Sequence, residues 1–295
     1  SYEQGDSQQA VSESGSQRRR RPFQQGDRVR ASVERLIPKG GSLARVKGSP
    51  VRVQGGVPGD ELEVLITHTG KNASWGKLDA VITPSADRVE APCSVMSRCG
   101  GCPWQTSASS LQRDTRRAQV DTILADYLED EVISHGWLST DRPTGYRTRA
   151  TMILRHRGGR LRMGFYAPGT QDVVDAEPCV VQHPALNRML ESARQALEAA
   201  SLPSWRSAER PGLLRALSGR LAPTDETGFL TVVVSHWDED AIRHLGNLLM
   251  AIDGVVGVAI NVNPYPSGPI LSPDTRLLVG QDRQLLRWRD LALEV

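Results

Sequence analysis

Between residues 27 and 88 the apolar positions recur at every second residue. Val29, Ala31, Val33 and Leu36 open the series, Val51 and Val53 follow, then Leu62, Val64 and Ile66, then Leu78, Ala80 and Ile82. Alternation of this kind predicts strands with one buried face. Turn-forming stretches separate them: Lys39-Gly40-Gly41-Ser42, Lys47-Gly48-Ser49-Pro50, Gly55 to Asp60, and Thr69-Gly70-Lys71-Asn72. Short strands at such regular spacing predict a small, OB-like β-barrel or a sandwich.

Beyond residue 108 the period changes. Ser109 or Ser110 can cap a helix over 109–130, with Val120, Ile123, Leu124, Tyr127 and Leu128 on one face. A second helix is predicted over 184–200, burying Leu186, Met189, Leu190, Ala193 and Leu197. A third runs near 238–251, where Asp238-Glu239-Asp240 suits the exposed N–H groups and positive dipole of a helix start. Strands are predicted near 146–156, 160–167, 171–175, 213–221, 229–236 and 255–262. Residues 276–280 and 285–288 read as a closing hairpin, and 291–295 as a strand without a following turn. The order predicts an α+β domain with a mostly antiparallel sheet. The domains expected are a 1–26 tail, a 27–88 barrel and an 89–295 α+β unit.

Composition narrows the class. The chain has 295 residues, 39% hydrophobic and 24% charged, which excludes wholesale disorder. No run of about 18 apolar residues is present, and no secretory pattern opens the chain, so a cytoplasmic protein away from membranes is expected. The first 26 residues are rich in Gln, Ser and Gly, contain Arg18 to Arg21, and are expected to be a disordered basic tail. The net charge is +2, so an argument for a polyanionic partner must rest on where the charges sit.

The four cysteines are Cys93, Cys99, Cys102 and Cys179, spaced C-x5-C-x2-C with one distant member. Four thiolates can hold a [4Fe–4S] cluster, one per iron. Gly100 and Gly101 allow a tight loop that turns N–H groups towards sulfur. Structural zinc more often uses two short knuckles, and here there is one. Two disulfides do not suit a chain without an export signal. A lone C-x-x-C redox motif lacks its preceding βαβ strand.

With these residues in view the chain, over about 28–295, resembles the iron–sulfur RNA (uracil-5-)-methyltransferases that modify bacterial 23S ribosomal RNA. Residues 28–88 are similar to that family's TRAM domain, a small RNA-binding barrel, through Gly41 to Arg45, Val53 to Asp60, Pro84-Ser85 and Arg88-Val89. Cys99-Gly100-Gly101-Cys102 with Gln105 is similar to its cluster loop. Tyr146 to Ala150, Met163 to Tyr166, Val174-Asp175 and Cys179 follow its order. Two positions depart: Pro103-Trp104-Gln105 stands where Gln-x-Gln is common, and Ser42-Leu43 where Gly-Val is usual.

The resemblance implies cysteine addition at uracil C6, methylation at C5 from S-adenosylmethionine, and base-assisted elimination. It implies that the adenosylmethionine domain begins where this sequence stops, so that the chain alone is inactive. No G-x-G-x-x-G follows a predicted strand, and no cysteine is left over as nucleophile. A stand-alone iron–sulfur or zinc RNA-binding module is the alternative.

The basic residues are grouped. Lys39, Arg45, Lys47 and Arg52 fall in the first β region. Arg147, Arg149, Arg155, Arg157, Arg160 and Arg162 crowd two neighbouring strands. Residues two apart on a strand share a face, so these pairs can build a one-sided basic ridge for phosphates. Phe165, Tyr166, Trp75 and Trp104 are candidates to stack on unpaired bases, though buried aromatics usually serve the core. The six histidines show no metal spacing and read as surface or capping residues. A monomer bound to ribosomal RNA is expected.

Overall fold

Strand β1 (Arg28–Leu36), β2 (Ser42–Val46), β3 (Ser49–Val53), β4 (Glu61–Thr69) and β5 (Ser74–Thr83) close into a barrel in the order β1-β2-β3-β5-β4. The computed structural model describes residues 22–38, 40–70, 73–125, 127, 138, 142–176, 178–207 and 209–294. The predicted tail therefore lies largely outside the described residues.

Small and branched aliphatic side chains fill the barrel: Ala31, Val33, Ala44, Val51, Val53, Leu62, Val64 and Ile66, as the narrow interior of a five-stranded barrel requires. The β2–β3 link is a two-residue turn in which Lys47 and Gly48 both have positive φ, the hairpin geometry that matches strand twist. In β2 the inward positions are Ser42, Ala44 and Val46. Ser42 is fully buried and donates its hydroxyl to Val53 O at 3.0 Å. A Cβ on Gly56 would come 2.5 Å from that hydroxyl. Ser42 thus makes a satisfied polar contact against a glycine inside the barrel.

The second body is a seven-stranded sheet, β12-β11-β10-β9-β6-β7-β8. Its strands are β6 (Arg149–Arg157), β7 (Arg160–Tyr166), β8 (Val173–Asp175), β9 (Leu214–Ala222), β10 (Thr227–Val234), β11 (Val255–Val262) and β12 (Thr275–Gly280). Only β10–β11 is parallel, and its crossover carries α4 (Glu239–Met250), as parallel neighbours demand. Helix α3 (Pro184–Ala199) buries Leu186, Met189, Leu190, Ala193 and Leu197, the predicted face. Asp238 caps α4 by accepting from Ala241 N at 3.1 Å, and His183 caps α3 through Ala185 N at 3.3 Å. The two helices cover one face of the sheet over a core that includes Met152, Leu154, Met163, Leu217, Val232 and Ile260.

Two expectations are corrected. The closing hairpin is β13 (Leu285–Trp288) with β14 (Leu291–Glu294), while residues 275–280 extend the large sheet beside β11. Arg289 and Asp290 supply the two-residue link, Arg289 at positive φ, so the turn falls later than the 280s suggest. Helix α2 (Ser109–Leu124) occupies the first part of the predicted 109–130, of which 126 and 128–130 lie outside the described residues; it buries none of its residues, and Ile123 is 66% exposed.

Arg194 pins α3 to β7. It is buried, donates to Glu191, Glu198 and Leu161 O, and Glu198 in turn accepts Leu161 N at 2.8 Å. The Glu191 hydrogen bond leads in holding the guanidinium above its ordinary pKa. Arg194→Met should cost about 1–3 kcal/mol, since two glutamates and a carbonyl lose a charged donor. Chemical denaturation would read this as a lower midpoint with an unchanged slope.

Candidate metal centre and nucleic-acid interface

The cysteine loop begins with the single turn α1 (Met96–Cys99), which Gly100 ends in the left-handed conformation at φ 67°. A Cβ at Gly100 would strike the Pro168 ring and come 3.0 Å from Gln54 Nε2. Only glycine lets this corner sit between the β7–β8 turn and the barrel. The loop is fastened to the barrel beyond it: Trp104 Nε1 donates to Gly41 O at 2.9 Å, and Thr106 Oγ1 to Gly55 O at 3.2 Å. Arg116 of α2 stacks over the Trp104 ring, its guanidinium carbon 4.3 Å from the ring centre. Trp104 therefore docks the loop on the barrel.

Cys179 lies on a separate segment, and Asn187 of α3 holds its backbone. Asn187 Nδ2 donates to Cys179 O at 3.0 Å, and Cys179 N donates to Asn187 Oδ1 at 3.2 Å. The flanking backbone is laced to residues 145–147 through Gly145 N–Val180 O and Arg147 N–Val181 O.

The four cysteines are unpaired, each half-buried. Burial pushes the Cys99 thiol above its ordinary pKa. A hydrogen bond from Gly101 N–H acts against this, Cys179 and Cys93 add to it, and Arg147 opposes. Burial likewise raises Cys102. Its Gln105 hydrogen bond opposes, Cys179 and Cys99 add, and Arg147 opposes. The loop cysteines and the distant one are thus gathered near enough to feel one another's charge. Among the described residues, no three His, Cys, Asp or Glu side chains are grouped to hold a metal ion. A four-iron cluster asks for something different, one thiolate at each of four irons.

On the sheet face away from the helices, the register sets the basic residues in cross-strand pairs: Arg149 opposite Arg220, Arg155 opposite Arg162, and Arg157 opposite Arg160. None of these six lies within ion-pair distance of a described carboxylate. Between the first and second pairs, Ile153, Ala216 and Val233 form an apolar row covered by Ile270 and Leu271. Asn261 and Asn263 shape that covering segment: Asn263 Nδ2 donates to Pro269 O and Ile270 O, and Asn261 Nδ2 to Ser272 O. The expected ridge is therefore divided into two basic ends.

The other candidates are placed individually. Arg147 precedes β6 in a bridge with Gln182, and its charge bears on Cys99 and Cys102. Phe165 packs half-buried against the helix-side core, away from Arg160 and Arg162. On the barrel, Arg45 pairs with Glu34 at 3.0 Å, Lys47 occupies the β2–β3 turn, and Arg52 lies over Trp75 at 5.6 Å. Trp75 is 43% exposed. Lys39 lies outside the described residues. Asn187, Arg220 and Phe229 carry no motif or spacing signal in the sequence; the fold alone sets them beside these groups.

No family model matches the chain. Sequence comparison finds curated RNA methyltransferases. An uncharacterized RNA methyltransferase of Thermosynechococcus vestitus is 29% identical over 273 residues, 92% of this chain and 60% of the relative. One of Gloeobacter violaceus is 31% identical over 264 residues, 88% of this chain and 57% of the relative. The chain thus spans 57–60% of the length of these relatives. Among solved structures, the Pyrococcus abyssi tRNA (uracil-54, C5)-methyltransferase in complex with S-adenosyl-L-homocysteine superposes with a TM-score of 0.65 at 19% identity. The superposition covers 90% of this chain and 59% of the other, and it shows a shared fold. No helix among the described residues is long and apolar enough to cross a membrane.

Proposed function

We propose that this chain is the RNA-recognition portion of an S-adenosylmethionine-dependent RNA uracil-5-methyltransferase. Its barrel acts as a TRAM-type domain, and Cys93, Cys99, Cys102 and Cys179 hold a structural [4Fe–4S] cluster. The observation that carries the reading is the set of arginine-on-arginine pairs on an open sheet face. Like charges directly opposite on neighbouring strands weaken a sheet, so a polyanion is the partner that makes such a surface favourable. Homology to RNA methyltransferases over 88–92% of the chain supports RNA as that polyanion. The donor set suits a cluster: four free thiols, N–H donors from Gly101 and Gln105, and a neighbouring Arg147 to balance negative charge. When bound, the cluster would tie the barrel-docked loop to the Cys179 segment. Methyl transfer belongs to the whole protein, with uridine C5 of 23S ribosomal RNA as the proposed target.

Two measurements test this. A fluorescence titration with a 23S rRNA fragment should show affinity falling steeply with salt. The double variant Arg155→Ser/Arg162→Ser should bind more weakly, with the salt slope reduced by about 2, one per lost phosphate contact. The same variant should melt no lower than wild type, because a repulsive pair has gone. Unchanged affinity and slope would remove this face from the RNA interface. Deleting the gene and sequencing the modified nucleosides should show loss of 5-methyluridine from 23S rRNA. Loss from tRNA instead would redirect the substrate.

A further inference from the structure

One row of side chains runs straight across the open sheet face. Arg149 on β6 stands opposite Arg220 on β9, Arg220 opposite Phe229 on β10, and Phe229 opposite Gly257 on β11. The Phe229 ring lies over Gly257, where a Cβ would collide with it. The next row is hydroxylic: Thr151, Ser218 and Thr231, with Thr151 Oγ1 donating to Ser218 Oγ at 2.9 Å. Both rows border a half-open cavity of about 270 Å³, lined also by Leu271, Thr275, Asp282 and Gln284. Gln284 is 2% exposed, and its Nε2 donates to Thr227 O at 2.9 Å, which fixes the amide and leaves Oε1 with no partner.

The lining combines two guanidiniums without a carboxylate partner among the described residues, one half-buried aromatic ring, hydroxyls and a buried acceptor that no described residue uses. We propose that this cavity is a subsite for one unpaired nucleotide of the RNA. Its phosphate lies against Arg149 and Arg220, its base stacks on Phe229, and a base N–H meets Gln284 Oε1. The inference rests on the RNA reading above and adds where a single nucleotide is held. The chemistry of each part is general: arginines grip phosphate oxygens, and aromatic rings take the faces of unstacked bases. The size suits one nucleotide, lying just under the usual lower bound of about 300 Å³ for ligand pockets. Asp282 lines the same cavity as a second acceptor for base N–H groups. Its charge calls for the phosphate to sit at the Arg149–Arg220 side.

The experiment uses the 295-residue chain and a fluorescein-labelled single-stranded oligoribonucleotide, with ultraviolet crosslinking and peptide mapping on the wild-type protein. Phe229→Leu should weaken binding about tenfold, within the range for loss of one stacked base, and leave the salt slope unchanged, because the ring carries no charge. Phe229→Tyr should restore the affinity. Arg220→Ser should weaken binding and lower the slope by about 1. A crosslink should map to the peptide containing Phe229. If wild type binds, Arg155→Ser/Arg162→Ser weakens it, and both Phe229→Leu and Arg220→Ser bind as wild type, the subsite is overturned and the RNA reading stands. If wild type binds no RNA at any salt, the RNA reading falls and takes the subsite with it. Should Phe229→Leu melt early, the wild-type crosslink decides: a map confined to other peptides overturns the proposal.

Discussion

Cys179→Ser is expected to remove most of the iron and sulfide bound per chain and to lower the melting temperature by about 10 °C. The size follows from a loss of about 3 kcal/mol at 2–4 °C per kcal/mol for a body of this length. Cys179 is the one thiol outside the 93–102 loop, so it alone would join that loop, through the cluster, to the segment held by Asn187. Serine keeps the volume but is a poor ligand for iron. Protein purified without air, with iron, sulfide and zinc quantified beside a visible spectrum, gives the answer. About four irons and four sulfides in wild type, falling in the variant with its broad absorbance, would bear out the ligand assignment. Equal iron and equal melting in both would refute it, and one zinc without sulfide would replace the cluster by a zinc centre. Asn187→Ala keeps every thiol and frees only the Cys179 backbone. It should retain the cluster with a smaller loss of stability.

What the sequence conveyed depended on whether a feature is local. Helix α3 and five of its seven buried residues followed from spacing alone, because its apolar stripe is wide. The barrel strands followed from alternation with two exceptions: β2 carries its inward pattern on Ser42 and Ala44, too small to stand out, and the expected apolar face of β5 leaves Ala80 and Ile82 exposed. The cysteine loop was legible because three of its four candidate ligands sit within ten residues. The partners that fix it were not. Trp104 reaches Gly41 from 63 residues away, and Asn187 becomes meaningful only once α3 is placed beside Cys179. The arginine pairs show the same boundary. Spacing indicated that Arg155 and Arg157 share a face, as do Arg160 and Arg162, but their opposition depends on strand register. The Arg149–Arg220–Phe229 row depends on the order β6-β9-β10, which joins distant parts of the chain. Helix α2 marks the reverse case. Its stripe of Val120, Ile123 and Leu124 was legible, yet no described residue buries it.

The second large effect is expected at Asp60, which lies where barrel and cysteine loop meet. Its carboxylate is completely buried and accepts Val57 N at 2.6 Å, Ser85 N at 2.8 Å and Arg88 Nε at 3.0 Å. Arg88 Nη2 bonds the other oxygen and also donates to Gly55 O, the carbonyl that receives Thr106 from the loop. Burial works to raise the Asp60 pKa, but the Arg88 hydrogen bond, the two backbone donors and the Arg88 charge together hold it below its ordinary value. Asp60→Ala removes the acceptor and leaves a mostly buried guanidinium uncompensated, a loss of about 3–5 kcal/mol. Asp60→Asn should approach the same cost, since it keeps the shape but not the charge. Asp60→Ala/Arg88→Met should recover part of it, and the resulting coupling energy isolates the pair from the backbone contacts. The sign of the pH dependence follows from the lowered value. The unfolded chain holds its Asp60 proton at higher pH than the folded one, so the contribution is whole above the ordinary value of 3.8. It is lost as the pH falls below that, through the folded value. Wild type should therefore lose stability between pH 4 and lower values more steeply than Asp60→Asn does. Equal slopes in the two proteins would mean that the acid sensitivity of this junction resides elsewhere.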